Sequence, residues 1–189
     1  MSAVGSSPTT GRPQRLHHNA WVTADQEATR RFYEEIVGLP LVATWTESGQ
    51  FGSEGEQDFC HTFYGLRDGG ALAFFQFADR EFARRHAEPA PSSPFHHVAL
   101  LVDGPTQEAI RRRASAARLE TTTADHGYCT SLYVTDPNGL RLEFTVDQPD
   151  LHETETSRAE RAHHDLQRWL DGDRRTNNHW RPARQGART

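Results

Sequence analysis

The chain repeats itself, and any fold proposed for it has to accommodate the repeat. LHHNAWVT at 16–23 and FHHVALLV at 95–102 each set a paired histidine ahead of an apolar run, with His18 and His97 lying 79 residues apart. Both copies lead into helical periodicity. Ala28, Phe32 and Ile36 mark the first helix, which Gly38 stops ahead of Pro40; Ile110, Ala114 and Ala117 mark the second, which begins near Pro105. Three strand-like runs follow each helix. They are 39–45, 58–66 and 71–77 in the first half, with RDGG (67–70) as the last turn. The second half has 119–123, 128–134 and 140–146, the last two joined by DPNG (136–139). Each half therefore reads βαβββ, and the expected fold class is α+β.

This parsing gives a flexible leader at 1–14 and a first βαβββ unit at 15–78. A linker at 79–94 and a second unit at 95–147 follow. Residues 48–57, rich in Gly, Glu and Ser, are expected to form a long loop found only in the first half. Beyond Pro149, the SRAE capping-box spacing (157–160) and an apolar stripe of Ala159, Ala162, Leu166, Trp169 and Leu170 predict a C-terminal helix over 148–171. The stripe implies that this helix docks on the body or on a partner subunit. A basic tail at 172–189 is expected to be disordered.

Composition excludes several chemistries. All 21 cationic side chains are arginine, and without a lysine there is no Schiff-base or pyridoxal-phosphate chemistry. A formal net charge of −5 argues against nucleic acid as a partner. No apolar run is long enough to span a membrane, and the N-terminal residues lack the apolar stretch of a signal peptide. Cys60 and Cys129 cannot build a disulfide framework, which points to a cytoplasmic protein.

Strand parity then singles out the chemistry. Leu140, Leu142 and Phe144 share one face of the last strand, so Glu143 points to the other; Tyr133 and Ser131 lie on the adjacent strand across the DPNG turn. A carboxylate there is costly to bury unpaired, and a cation would relieve the cost. His18 and His97 occupy matching places at the starts of strands, so pairing of the two units about a pseudo-twofold brings both imidazoles towards one point. Two histidines and one carboxylate form the facial set of non-haem Fe(II) oxygenases. Cys60-His61 as a nucleophilic pair is disfavoured, because adjacent strand residues face opposite ways.

LHHNAWVTADQEATRRFYEEIVGLPLV, then FHHVALLV, then YVTDPNGLRLEF resemble the vicinal oxygen chelate superfamily over residues 15–147. This group includes glyoxalase I, extradiol dioxygenases, methylmalonyl-CoA epimerase, fosfomycin-resistance enzymes and bleomycin-binding proteins. The resemblance implies two paired βαβββ units forming a half-open barrel around a metal cleft. It also implies metal ligands at His18, His97 and Glu143, with Gln76 at the place where glyoxalases and epimerases carry a further ligand. Tyr133, ten positions before Glu143, resembles the extradiol tyrosine that hydrogen-bonds the bound catecholate. His126 is suited to moving protons near neutral pH. One departure from the extradiol pattern stands out: Gly69-Gly70 occupy the place of that group's catalytic histidine, leaving His126 or His61 to substitute.

The expected activity is a non-haem Fe(II) dioxygenase acting on a small aromatic or oxygen-chelating substrate, with Mn(II), Ni(II), Co(II) or Zn(II) compatible with the same ligands. A glyoxalase- or epimerase-type lyase or isomerase is the second reading, and a drug- or metabolite-binding resistance protein the third. The expected partners are a small-molecule substrate and a second copy in a homodimer.

Overall fold

A computed structural model describes residues 13–87, 93, 95–149 and 151–178, with the backbone alone for 151–158. Most of the expected leader (1–12) and the end of the basic tail (179–189) lie outside the described residues, as do linker positions 88–92 and 94. The chain divides into two units, Met1–Glu88 and Pro89–Thr189.

The first unit runs β1 (His18–Val22), α1 (Gln26–Arg30, continuing as a π-helix over Arg31–Val37), β2 (Leu41–Gln50), β3 (Glu56–Gly65), β4 (Ala71–Phe77) and α2 (Arg80–His86). Its sheet has the order β1-β4-β3-β2, with β1 parallel to β4 and the other pairs antiparallel. Asp25 caps α1, its Oδ1 accepting from the amides of Glu27 and Ala28 at 2.9 Å. Gly38 ends the helical stretch at φ 90°, where a side chain would be strained, and its amide returns to the Tyr33 carbonyl at 2.9 Å. Tyr33 is fully buried, stacked on Tyr64 at 5.1 Å and lying 4.9 Å from the Phe74 ring. The helix thus covers one face of the sheet and leaves the face carrying His18 open.

The second unit repeats the scheme as β5 (Val98–Leu101), α3 (Gly104–Ala116), β6 (Thr121–Asp125), β7 (Cys129–Thr135) and β8 (Arg141–Asp147), followed by α4 (Leu151–Leu170). The order is β5-β8-β7-β6, again with one parallel pair. Asp103 caps α3 with Pro105 in its first turn, and Ile110 and Ala114 are buried together with Leu132, Val134, Leu142 and Phe144. In the DPNG turn, Asp136 accepts from the amides of Asn138 and Leu140 at 2.8 Å. The α+β class and the duplicated βαβββ pattern are present as two four-stranded mixed sheets, one in each unit.

The repeat extends to single hydrogen bonds. Gln26 of α1 donates from Nε2 to the carbonyls of Phe74 (3.1 Å) and Cys60 (3.4 Å), and Gln107 of α3 donates to those of Phe144 (2.8 Å) and Thr130 (3.0 Å). Phe74 faces Trp21, three residues beyond His18, and Phe144 faces Leu100, three beyond His97. One amide in each unit therefore pins the helix to matching strand carbonyls. Gln107→Ala strips two part-buried acceptors of their partner and is expected to cost about 1–3 kcal/mol in urea denaturation.

Two expectations change. Residues 48–57 are not a long loop. The β2–β3 ladder continues through Ser48↔Asp58 to Gln50↔Glu56, and Phe51 packs on Phe59, Phe77 and Phe82. The linker contains α2, because Asp79 caps it by accepting from the Glu81 and Phe82 amides and Phe82 is buried. The C-terminal helix expected over 148–171 is present as α4, which begins at Leu151, ahead of the SRAE box. Within this chain the distal part of its apolar stripe, Leu166, Trp169 and Leu170, is exposed, and the Arg174 guanidinium lies 3.9 Å from the Trp169 ring centre. No helix among the described residues is long and apolar enough to cross a membrane.

Candidate metal centre

In the second unit the strands deliver a carboxylate and its partners to the open face. Glu143 on β8 pairs across the ladder with Ala99 on β5 and Tyr133 on β7. His97 lies two residues before Ala99 and so shares their face, and its Nε2 sits 2.7 Å from Glu143 Oε2. The other carboxylate oxygen, Oε1, accepts from Ser131 Oγ at 2.5 Å, and Glu143 is only 6% exposed. The supporting residue, Ser131, was not assigned a role from sequence, although the alternation that places Tyr133 on this face places Ser131 there too.

The orientation of His97 bears on what the pair can hold. Its Nδ1 donates to the Phe95 carbonyl at 2.9 Å, which fixes the ring and directs Nε2 at the carboxylate. The 2.7 Å approach of Nε2 to Oε2 brings the two donors together, and a divalent cation between them would leave the Nδ1 bond undisturbed. Imidazole nitrogen and carboxylate oxygen suit iron, manganese or zinc, so the chemistry of these donors fits the expected metal. They are two donors. Among the described residues no group of three or more His, Cys, Asp or Glu side chains converges as a metal site.

Tyr133 and His126 stand beside the carboxylate. His126 Nε2 is 3.0 Å from the Tyr133 hydroxyl and 3.9 Å from Glu143 Oε1. Burial, together with a hydrogen bond to Glu143, pushes the Tyr133 phenol above its ordinary range, while the Arg141 guanidinium, 4.5 Å from the ring centre, opposes the shift. Tyr133 therefore stays a hydroxyl at neutral pH. From the segment after α4, Asn178 Nδ2 reaches the His126 carbonyl at 3.0 Å, a contact with no signal in the sequence.

In the first unit, His18 is exposed at the start of β1, in T-shaped contact with Phe63 (5.5 Å) and His61 (6.3 Å). His17 and His18 touch through their Nδ1 atoms at 2.8 Å. His61 stacks on Phe75 at 3.5 Å and is buried, and burial, with a lesser contribution from His18, holds its imidazole down to about 4. It is neutral at physiological pH.

The expected fourth ligand is not on this face. His18 pairs with Ala71, so Ala71, Ala73 and Phe75 share its side of the sheet, while Leu72, Phe74 and Gln76 point to the helix side. The Gln76 amide donates to the Ala24 carbonyl at 3.0 Å. The place matching Glu143 is held by Ala73: Ala20, two residues beyond His18, faces Ala73 just as Ala99 faces Glu143. The Gly69-Gly70 pair also has a structural reason. A Cβ on Gly70 would lie 2.7 Å from the Leu16 carbonyl oxygen, so the chain leading into β1 excludes a side chain there.

Residues 15–144 match the sequence profile of the Glyoxalase/Bleomycin resistance protein/Dioxygenase superfamily. The protein YwbC of Bacillus subtilis (strain 168) is 27% identical over 135 residues, covering 69% of this chain and 96% of YwbC. Among solved structures, the fosfomycin resistance protein FosX of Mesorhizobium loti aligns with a TM-score of 0.51 at 16% identity, covering 76% of this chain and 100% of FosX. A variant of FosX from Listeria monocytogenes, complexed with Mn(II) and 1S,2S-dihydroxypropylphosphonic acid, gives 0.52 at 14% identity, over 74% of this chain and 94% of that one. A glyoxalase/dioxygenase from Nostoc punctiforme gives 0.50 at 19% identity, over 77% and 99%. At these identities the solved structures establish the fold. The profile match, which spans more than half of the residues, establishes that this chain belongs to the Glyoxalase/Bleomycin resistance protein/Dioxygenase superfamily.

Proposed function

We propose that the protein is a metal-dependent oxygenase acting on a small aromatic or oxygen-chelating substrate, with His18, His97 and Glu143 as the ligands of one divalent ion, Fe(II) in the active form. One observation carries this reading. The first unit has Ala73 where the second has Glu143, and Gln76 faces away from His18, so the two units offer two histidines and one carboxylate. An ion held by such a set would have the donor types that non-haem iron oxygenases use. A glyoxalase- or epimerase-type reaction employing a fourth protein ligand finds none at Gln76.

When bound, the ion supplies Lewis acidity and a redox partner for O2. The remaining steps fall to the chain's own side chains. Tyr133, kept protonated by burial and by the neighbouring carboxylate, donates to an oxygen of the substrate and orients it. His126, within 3.0 Å of that hydroxyl, accepts a proton from a substrate hydroxyl and returns it to product. Ser131 keeps Glu143 in its orientation. On the first unit, Phe63 and Phe75 give the His18 face an aromatic surface suited to a flat ring.

The test is anaerobic reconstitution with Fe(II), followed by O2 uptake measured against a panel of catechols and related chelating aromatics. Iron-dependent uptake with one of them supports the reading. Turnover that needs no O2 and persists with Ni(II) or Co(II) would replace it with the isomerase reading. Gln76→Ala is expected to leave metal stoichiometry unchanged by elemental analysis, whereas a ligand role for Gln76 requires it to fall.

A further inference from the structure

A cavity lies in the first unit beside α2, where the ends of β1, β3 and β4 meet that helix. It has a volume of 840 Å³, within the roughly 300–1,000 Å³ of small-molecule sites. Its floor is a cross-strand row of Thr46, Cys60 and Gln76, which are successive ladder partners across β2, β3 and β4. Val22 and Ala24 form one wall. The other wall is one face of α2, where Arg80, Ala83, Arg84 and Ala87 recur at helical spacing. Phe82, buried against Phe77 at 4.7 Å and Phe51 at 5.3 Å, anchors that helix in place.

The charges in this cavity are unequal. Arg84 is paired with Glu81 at 2.5 Å, and Asp58, the one lining acid, accepts from Ser48 Oγ. Arg80 makes no ion pair among the described residues. The cavity therefore combines an apolar wall of Val22, Ala24, Phe77 and Ala83 with a guanidinium that has no acidic partner among the described residues. We propose that this cavity is a binding site for a small amphipathic carboxylate, its hydrocarbon body on the apolar wall and its anionic head on Arg80. The site uses none of the residues assigned to the metal, and its occupancy is independent of the proposed oxygenase activity.

Cys60 is part-exposed in the floor, whereas Cys129 is buried, so alkylation of Cys60 by iodoacetamide, read peptide by peptide by mass spectrometry, reports occupancy in the full-length protein. Octanoate is expected to slow Cys60 alkylation saturably. Octan-1-ol, which lacks the charge, is expected to require about ten-fold more for the same protection. Arg80→Glu is expected to weaken octanoate protection by about the same factor, Ala83→Trp to abolish it by filling the cavity, and Glu143→Gln to leave it intact. Arg80 is exposed, so its replacement tests the site even where Ala83→Trp fails to fold. Protection that does not saturate, that octan-1-ol matches, or that survives Arg80→Glu would overturn the assignment.

Discussion

Glu143→Ala is expected to abolish metal binding, and to do so more completely than any change to the residues around it. The carboxylate is buried at 6% exposure, with His97 Nε2 on one oxygen and Ser131 Oγ on the other. Its removal deletes the only anionic donor of the proposed set. Ser131→Ala, by contrast, leaves the carboxylate in place and frees its orientation, which typically costs ~10–100-fold in metal affinity. Competition against a chelating fluorophore should therefore rank wild type, Ser131→Ala and Glu143→Ala in descending affinity, with the last near the detection floor. Near-UV circular dichroism of each variant separates a lost ligand from a lost fold. An unchanged affinity in Glu143→Ala would remove the carboxylate from the site.

The second large effect concerns Tyr133 and His126. Tyr133→Phe keeps the ring under Arg141 and removes only the hydroxyl, so metal content is expected to hold while turnover falls by about 10²-fold or more. His126→Gln should behave alike, because its Nε2 meets the same hydroxyl at 3.0 Å. The pH profile gives an independent sign. Burial and Glu143 raise the Tyr133 phenol, so its ionisation limits activity only above the ordinary tyrosine range of about 10, and no tyrosine-linked loss is expected between pH 7 and 9. A Tyr133→Phe enzyme with full turnover would reduce the residue to a packing aromatic.

Much of this architecture was legible because duplication and alternation are local rules. Two copies of a paired histidine mark the two units, and parity sets Glu143 opposite the apolar row of its strand; the register that brings Tyr133 and Ser131 to the same face comes from the β7–β8 ladder. Gln76 misled because it was assigned by likeness of position along a strand. Register decides the face, and Ala20 opposite Ala73 places the matching residue three positions earlier. The Gly-, Glu- and Ser-rich stretch at 48–57 read as loop by composition, yet cross-strand pairs up to Gln50↔Glu56 carry β2 and β3 through it. The α2 helix was hidden by its shortness, only Asp79 and Phe82 signalling it. Asn178 could not be foreseen, since a contact with the carbonyl of a residue 52 positions away leaves no periodic trace.

Everything proposed about the chemistry rests on His18 joining His97 and Glu143 on a single ion. Iron K-edge X-ray absorption of the anaerobically Fe(II)-loaded chain measures this most directly. The account predicts two imidazole nitrogens bound to iron in the native protein and one in His18→Ala. A spectrum with one imidazole in both, or with none in either, would contradict it.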